Sequence, residues 1–159
     1  MPKIDVEALP RKRGTNYPAP YDAPCLNRRW RALGDAVGLT QFGVNLVQLP
    51  PGSWSSQRHW HSDEDEFVWV LRGNVVLVSD DGEATLAAGE CAGFKGGQRN
   101  GHCLQNRSEQ TAELLVVGAR IAGDHGEYPD LDMIFGCEGP YRHRDGSAYP
   151  DPVPGIVQD

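Results

Sequence analysis

His59, His61 and Glu66 sit close together in the stretch GSWSSQRHWHSDEDEFVWVLRG, which runs from Gly52 to Gly73, and His102 follows further along the chain. Three imidazoles and one carboxylate form a donor set suited to a divalent transition metal: Mn, Fe, Zn, Ni or Co, with Cu also compatible. Four protein ligands on an octahedral ion leave about two positions for water, substrate or dioxygen. Such a site supports either Lewis-acid polarisation of a carbonyl or diol, or dioxygen chemistry at Fe(II).

The elements that must hold these residues read as strands. Side chains at i and i+2 of a strand share a face, so His59 and His61 point inward together with Trp60 on the other side. Residues 53–61 are read as one strand leading into the acidic turn Ser62 to Asp65. Glu66 opens the next strand and shares its face with Val68 and Val70, while Phe67, Trp69 and Leu71 line the other. A strand over 102–106 brings His102 to the same point from a neighbouring wall.

The rest of the chain supports an all-β reading. The 159 residues include 19 Gly and 12 Pro, and turn residues recur along the middle of the chain, a pattern of sandwiches and barrels. Strands are expected over 28–33, 39–49, 66–71, 75–79 and 112–119, and Asp80-Asp81-Gly82 marks a hairpin. A second small hairpin is expected at Asp145-Gly146. The expected organisation is one domain over 1–159. Its core covers about 27–120, with a Pro-rich N-terminal arm over 1–26 and a C-terminal extension over 121–159. Tyr17, Tyr21 and Cys25 are the residues of the arm able to pack on a neighbouring surface.

Charge and hydropathy exclude several classes. The net charge of −7 disfavours nucleic-acid and anionic-membrane partners, and the cluster Arg11, Lys12, Arg13 reads as solvated tail. No apolar run approaches the ~20 residues of a membrane-spanning helix, and the N-terminus has no signal-peptide core. A cytoplasmic location is expected. Cys25, Cys91, Cys103 and Cys137 lack metal-ribbon spacing and read as buried free thiols.

The metal stretch resembles the first motif of the cupin superfamily, G-x(5)-H-x-H-x(3,4)-E-x(6)-G. His59, His61, Glu66 and Gly73 fall in register, and Gly52 stands one residue further out. Gly89, Gly97, His102 and Asn106 resemble the second motif, G-x(5)-P-x-G-x(2)-H-x(3)-N. Lys95 replaces its proline, and the gap to His102 is two residues longer. The resemblance covers roughly residues 39–120 and is strongest to small single-domain bacterial cupins, some of them named as sugar-phosphate isomerases. It implies a cupin-type jelly-roll β-barrel (a double-stranded β-helix), a metal inside the barrel held by His59, His61, Glu66 and His102, and frequently a homodimer.

Glu64 is the rival to Glu66 as a ligand; the distance to Gly73 favours Glu66. No catalytic acid–base residue is clearly placed, and Gln57, Lys95 and Asn100 are the polar candidates near the ligands. Gln57 is read as facing the metal interior because it precedes His59 by two. Lys95 and Arg99 read first as solvated loop charges, with an anion-binding role as the alternative. His125 and His143 read as surface residues, and Trp54, Trp60 and Trp69 as packing. Three functions remain: a metal-dependent isomerase or epimerase acting on a sugar or sugar phosphate, an Fe(II) dioxygenase, and a small-molecule binding or sensing module without turnover.

Overall fold

A computed structural model describes residues 3–136, 139–150 and 155–158. Its strands are β1 (Lys12–Arg13), β2 (Arg29–Ala32), β3 (Phe42–Leu49), β4 (Trp60–His61), β5 (Glu66–Arg72), β6 (Asn74–Ser79) and β7 (Gly82–Ala87). They continue with β8 (Cys91–Phe94), β9 (Cys103–Gln105), β10 (Ala112–Ala119), β11 (His125–Tyr128), β12 (Met133–Gly136) and β13 (Val157–Gln158). Among the described residues, helical turns are limited to two short 3-10 segments, Ala23–Cys25 and Asp35–Val37. The architecture is all-β, as the Gly- and Pro-punctuated pattern predicts.

A seven-stranded sheet in the order β13-β1-β2-β3-β10-β5-β8 faces a three-stranded sheet, β7-β6-β9, and a second three-stranded sheet, β12-β11-β4, completes the walls. The main core lies between the first two. Leu49, Val68, Val70, Ala112 and Leu114 come from the large sheet and meet Val75 and Leu104 from the small one. Each aliphatic side chain buried in full contributes about 1.5–3 kcal/mol. Alternation along β5 places Val68 and Val70 in this core while Phe67, Trp69 and Leu71 stay exposed on the outer face.

The β6–β7 hairpin closes with Ser79 opposite Gly82 across Asp80-Asp81, where the Asp-Gly signal places it. Gly73 turns the chain from β5 into β6 at φ 76°, and a Cβ there would lie 3.1 Å from the Ala112 Cα. A positive φ and close packing on β10 together favour glycine at this motif position.

Three expectations change. Only Trp60 and His61 of residues 53–61 form a regular strand. Trp54 and His59 make isolated bridges to Gln105 and His102, with bends between them. Local serine bonding competes with a ladder here: the Ser55 hydroxyl accepts the Leu104 N–H at 3.0 Å. Lys12 and Arg13 are not solvated tail; they form β1, half-buried between β2 and β13. Cys91 is exposed, whereas Cys25 and Cys103 are buried free thiols; Cys137 lies outside the described residues.

The N-terminal arm folds back onto the molecule. Tyr17 and Cys25 pack with Tyr128 and Met133 in a second buried cluster, with Tyr21 against its edge. This cluster ties the arm to β11 and β12, and β11 pairs with β4 through Gly126 opposite His61. The tail turn at Asp145-Gly146 also forms, bracketed by a bridge between Arg142 and Ala148.

Candidate metal centre

His59 and His102 face each other directly across a two-residue antiparallel bridge, with backbone bonds of 3.1 and 2.9 Å in both directions. Opposed residues in such a pair project to the same side. His61 follows on β4, and Glu66 begins β5. The four side chains converge on one oxygen: Glu66 Oε2 lies 2.8 Å from His102 Nε2 and 3.7 Å from the Nε2 atoms of both His59 and His61.

The other nitrogen of each ring is held from behind. His59 Nδ1 donates to the Gln57 carbonyl at 2.9 Å, and His102 Nδ1 points to the Asn100 carbonyl at 3.4 Å. His61 Nδ1 bonds the Asp124 carboxylate at 2.7 Å. A carbonyl or carboxylate only accepts, so His59 and His61 carry the proton on Nδ1 and turn an Nε2 lone pair inward, while His102 Nε2 donates to Glu66 in the metal-free protein. This is the outer-shell arrangement that orients metal-binding imidazoles. Phe94 stacks flat on His102 at 3.6 Å, and Phe135 meets the His61 ring edge-on at 5.0 Å, which fixes the ring planes.

Protonation states suit ligation. Burial lowers the His59 pKa to about 4, against the opposing pull of Glu66. Burial would raise the Glu66 carboxyl, but the His102 hydrogen bond and the facing imidazoles outweigh it and hold it at about 2. At neutral pH His59 is therefore neutral and Glu66 ionised, the forms a metal requires. In the metal-free protein the short His102–Glu66 contact needs a proton between its atoms, and a divalent cation would take that role. The residues thus fit a resident ion.

Glu64 takes a different position. One of its oxygens accepts the Ile121 N–H at 2.8 Å, and the other lies 3.9 Å from His61 Nδ1. With Asp124 it forms a second acidic group on the Nδ1 side of His61. Burial opposes ionisation of Asp124, but the His61 bond and the Asp63 and Glu64 backbone N–H groups prevail and lower its pKa.

The candidate acid–base residues fare unevenly. Gln57 does not face the metal interior: its amide donates to the Tyr21 carbonyl at 2.6 Å, and only its own carbonyl serves His59. The bends before β4 break the alternation that would have aimed it inward. Lys95 and Asn100 line a small cavity of about 260 Å³ that reaches His61 and His102. The Asn100 side chain is committed to the β6–β7 turn, accepting the Asp80 N–H and donating to Asp81. Arg99 lies over the Trp60 ring at 5.1 Å.

A larger cavity of about 810 Å³ opens on His59, His61, Glu66 and His102 and extends to Tyr17, Arg28, Trp30, Tyr128 and Tyr141. Asp124, Phe94, Phe135 and Tyr128 all shape the centre, and none carries a local spacing signal. The Gly-Asp-His-Gly turn around Asp124 marks a loop without linking it to His61.

An all-β barrel with three imidazoles and a carboxylate converging inside it defines a class of metal-binding β-barrels. The Cupin domain family matches residues 45–118. A sugar phosphate isomerase of the cupin superfamily from Silicibacter pomeroyi is 43% identical over 94% of this chain and 97% of its own, with a TM-score of 0.89. An Acidithiobacillus ferrooxidans protein, provisionally named a sugar phosphate isomerase, is 30% identical over 79% of this chain and 81% of its own, with a TM-score of 0.70. The polyketide cyclase RemF from Streptomyces resistomycificus shares the fold alone, at 19% identity over 91% of this chain and 85% of its own, with a TM-score of 0.59. No curated protein matches. The chain belongs to the cupin superfamily. Among the described residues no helix is long and apolar enough to cross a membrane.

Proposed function

We propose that this protein is a metal-dependent enzyme acting on a small polar molecule, by isomerase or epimerase chemistry on a sugar or sugar phosphate. The observation that carries this reading is the convergence of His59, His61, His102 and Glu66 on one point at the wall of an 810 Å³ cavity. The names of the Silicibacter pomeroyi and Acidithiobacillus ferrooxidans relatives support the substrate class. A divalent ion there would polarise a carbonyl or diol as a Lewis acid. The chain's own part is to hold the ligands, orient the substrate and exclude water with Phe94, Phe135 and Tyr128.

A binding role without turnover has one specific observation in its favour. Beyond the four ligands, the ionisable groups on the cavity wall are poor bases. Burial pushes the Tyr17, Tyr128 and Tyr141 hydroxyls up, and the Cys103 thiol up to about 11. The deciding experiment is metal analysis of protein purified without chelator, followed by aldose–ketose and epimer assays on the metal-loaded form. Stoichiometric metal with turnover supports the enzyme. Ligand binding without turnover moves the assignment to a binding cupin, and dioxygen consumption with bound iron moves it to a dioxygenase. The proposed homodimer is checked separately by light scattering, where the mass of one chain would refute it.

A further inference from the structure

Arg28 is a half-buried cation on the wall of the large cavity, and no carboxylate among the described residues pairs with it. Its Nε donates to the Gly14 carbonyl at 3.1 Å and its Nη1 to the Ser55 carbonyl. Its guanidinium carbon lies 5.2 Å from the Trp30 ring centroid. A guanidinium has five N–H donors, so two bonds to carbonyls leave the Nη2 pair unassigned. A half-buried cation with no carboxylate partner among the described residues favours the arrival of an anion.

Hydroxyl donors share the cavity wall with this cation. Tyr17, Tyr128 and Tyr141 line the same cavity, and the Tyr17 and Tyr141 rings lie 5.1 Å apart. The Tyr128 hydroxyl bonds that of Tyr17 at 3.3 Å. Burial keeps all three protonated, so they remain donors. Asn16 and Asn45 add amide groups to the wall. The metal group is a separate part of that wall, and Tyr128 spans the two, with its ring 5.7 Å from His59. A region with a cation and several hydroxyls, and with no carboxylate beside them among the described residues, matches an oxyanion with several terminal oxygens.

Resting on the metal-dependent reading above, we propose that Arg28 and the hydroxyls of Tyr17, Tyr128 and Tyr141 seat the phosphate monoester group of a small sugar substrate. The sugar carbon to be transformed is thereby presented to His59, His61, Glu66 and His102. The anion seat belongs to Arg28, to Tyr17 of the N-terminal arm and to Tyr128 and Tyr141 of the C-terminal extension, not to the loop charges Lys95 and Arg99.

The test is titration calorimetry on chelator-treated full-length protein with ribose 5-phosphate, ribose and ribonate. Wild type is expected to bind ribose 5-phosphate between about tenfold and a hundredfold more tightly than ribose. Arg28→Gln, which keeps an N–H donor for a carbonyl but loses the charge, is expected to abolish that preference and retain metal uptake. Should this variant fail to fold by circular dichroism, Arg28→Lys serves instead. It keeps the charge without the planar fork and is expected to lower the preference at least threefold. A folded variant with wild-type preference overturns the proposal, as does a wild type that does not discriminate the two sugars. Tighter binding of ribonate overturns the phosphate assignment. Failure of wild type to take up metal defeats the enzyme reading instead and leaves these titrations readable.

Discussion

The two ends of the large cavity are built by different parts of the chain and by different physical means. The imidazole end is held by the barrel itself: a bridge pairs His59 with His102, β4 carries His61, and β5 begins at Glu66. A fixed acceptor stands behind each of its rings, and His102 bonds Glu66. The arginine end is made of the N-terminal arm, the start of β2 and the C-terminal segments around Tyr128 and Tyr141. Its cation bonds two carbonyls and has no carboxylate partner among the described residues, and the Tyr17 and Tyr128 hydroxyls bond each other. The difference teaches a division of labour. A rigid, pre-oriented donor set suits an ion that is always the same, and a donor-rich wall assembled from the arms suits a ligand that comes and goes.

The strongest way to break this division is to remove a ligand. His59→Ala and His102→Ala are each expected to lose most bound metal and keep the fold, since neither side chain belongs to the aliphatic core. Mass-spectrometric metal content at the wild-type level in both variants would sink the assignment of the imidazole end.

Acid should act on the same end. In the metal-free protein, unfolded His59 takes a proton near pH 6.5, whereas the folded residue resists until about pH 4. Folding stability therefore falls as pH drops through that window. Glu66 adds a second decline. Its carboxylate stays ionised in the fold down to about pH 2 but protonates near 4.5 when unfolded. Together these shifts are worth a few kcal/mol. Urea midpoints measured from pH 7 to pH 4 should fall for wild type and fall less for His59→Gln. Parallel curves for the two proteins would contradict the buried, neutral His59.

A smaller effect tests the support behind the ligands. Asp124→Asn replaces the carboxylate that accepts the His61 Nδ1 proton, and the neutral amide is a weaker acceptor. Metal affinity should fall about 10–100-fold, with the affinity for ribose 5-phosphate in metal-free protein unchanged. A competition titration against a chromogenic chelator gives the first quantity. Unaltered metal affinity would mean that Asp124 serves only the turn through the Asp63 and Glu64 N–H groups.

These two ends also differ in how far the sequence discloses them. His59, His61, Glu66 and His102 are legible because strand alternation is local: an i, i+2 pair and a hairpin partner report a shared face without knowledge of the rest of the fold. That rule failed two residues away, at Gln57, where serine bonding bends the backbone. Asp124, Phe135 and Tyr128 were hidden because they reach the site through the pairing of β11 with β4, and HGEY shows no alternation to announce it. Arg28 was hidden for the same kind of reason. Its charge is visible, but the lack of a carboxylate partner is a property of the folded surroundings. The Arg11 to Arg13 cluster reads as solvated for the converse reason, since one of its two partner strands, β13, lies at the opposite end of the chain.

The mildest perturbation is also the sharpest test of whether the two ends are separable, because Tyr128 touches both. Tyr128→Phe keeps the ring that packs near His59 and Phe135 and deletes only the hydroxyl that bonds Tyr17. Metal affinity should be unchanged, since that oxygen bonds Tyr17 rather than the imidazoles or Glu66. Affinity for ribose 5-phosphate should fall by about 2–10-fold, the worth of one neutral hydrogen bond, and affinity for ribose should fall less. If metal and sugar-phosphate affinity drop together, the hydroxyl network couples the ends, and the arms help to position the ligands as well as the substrate.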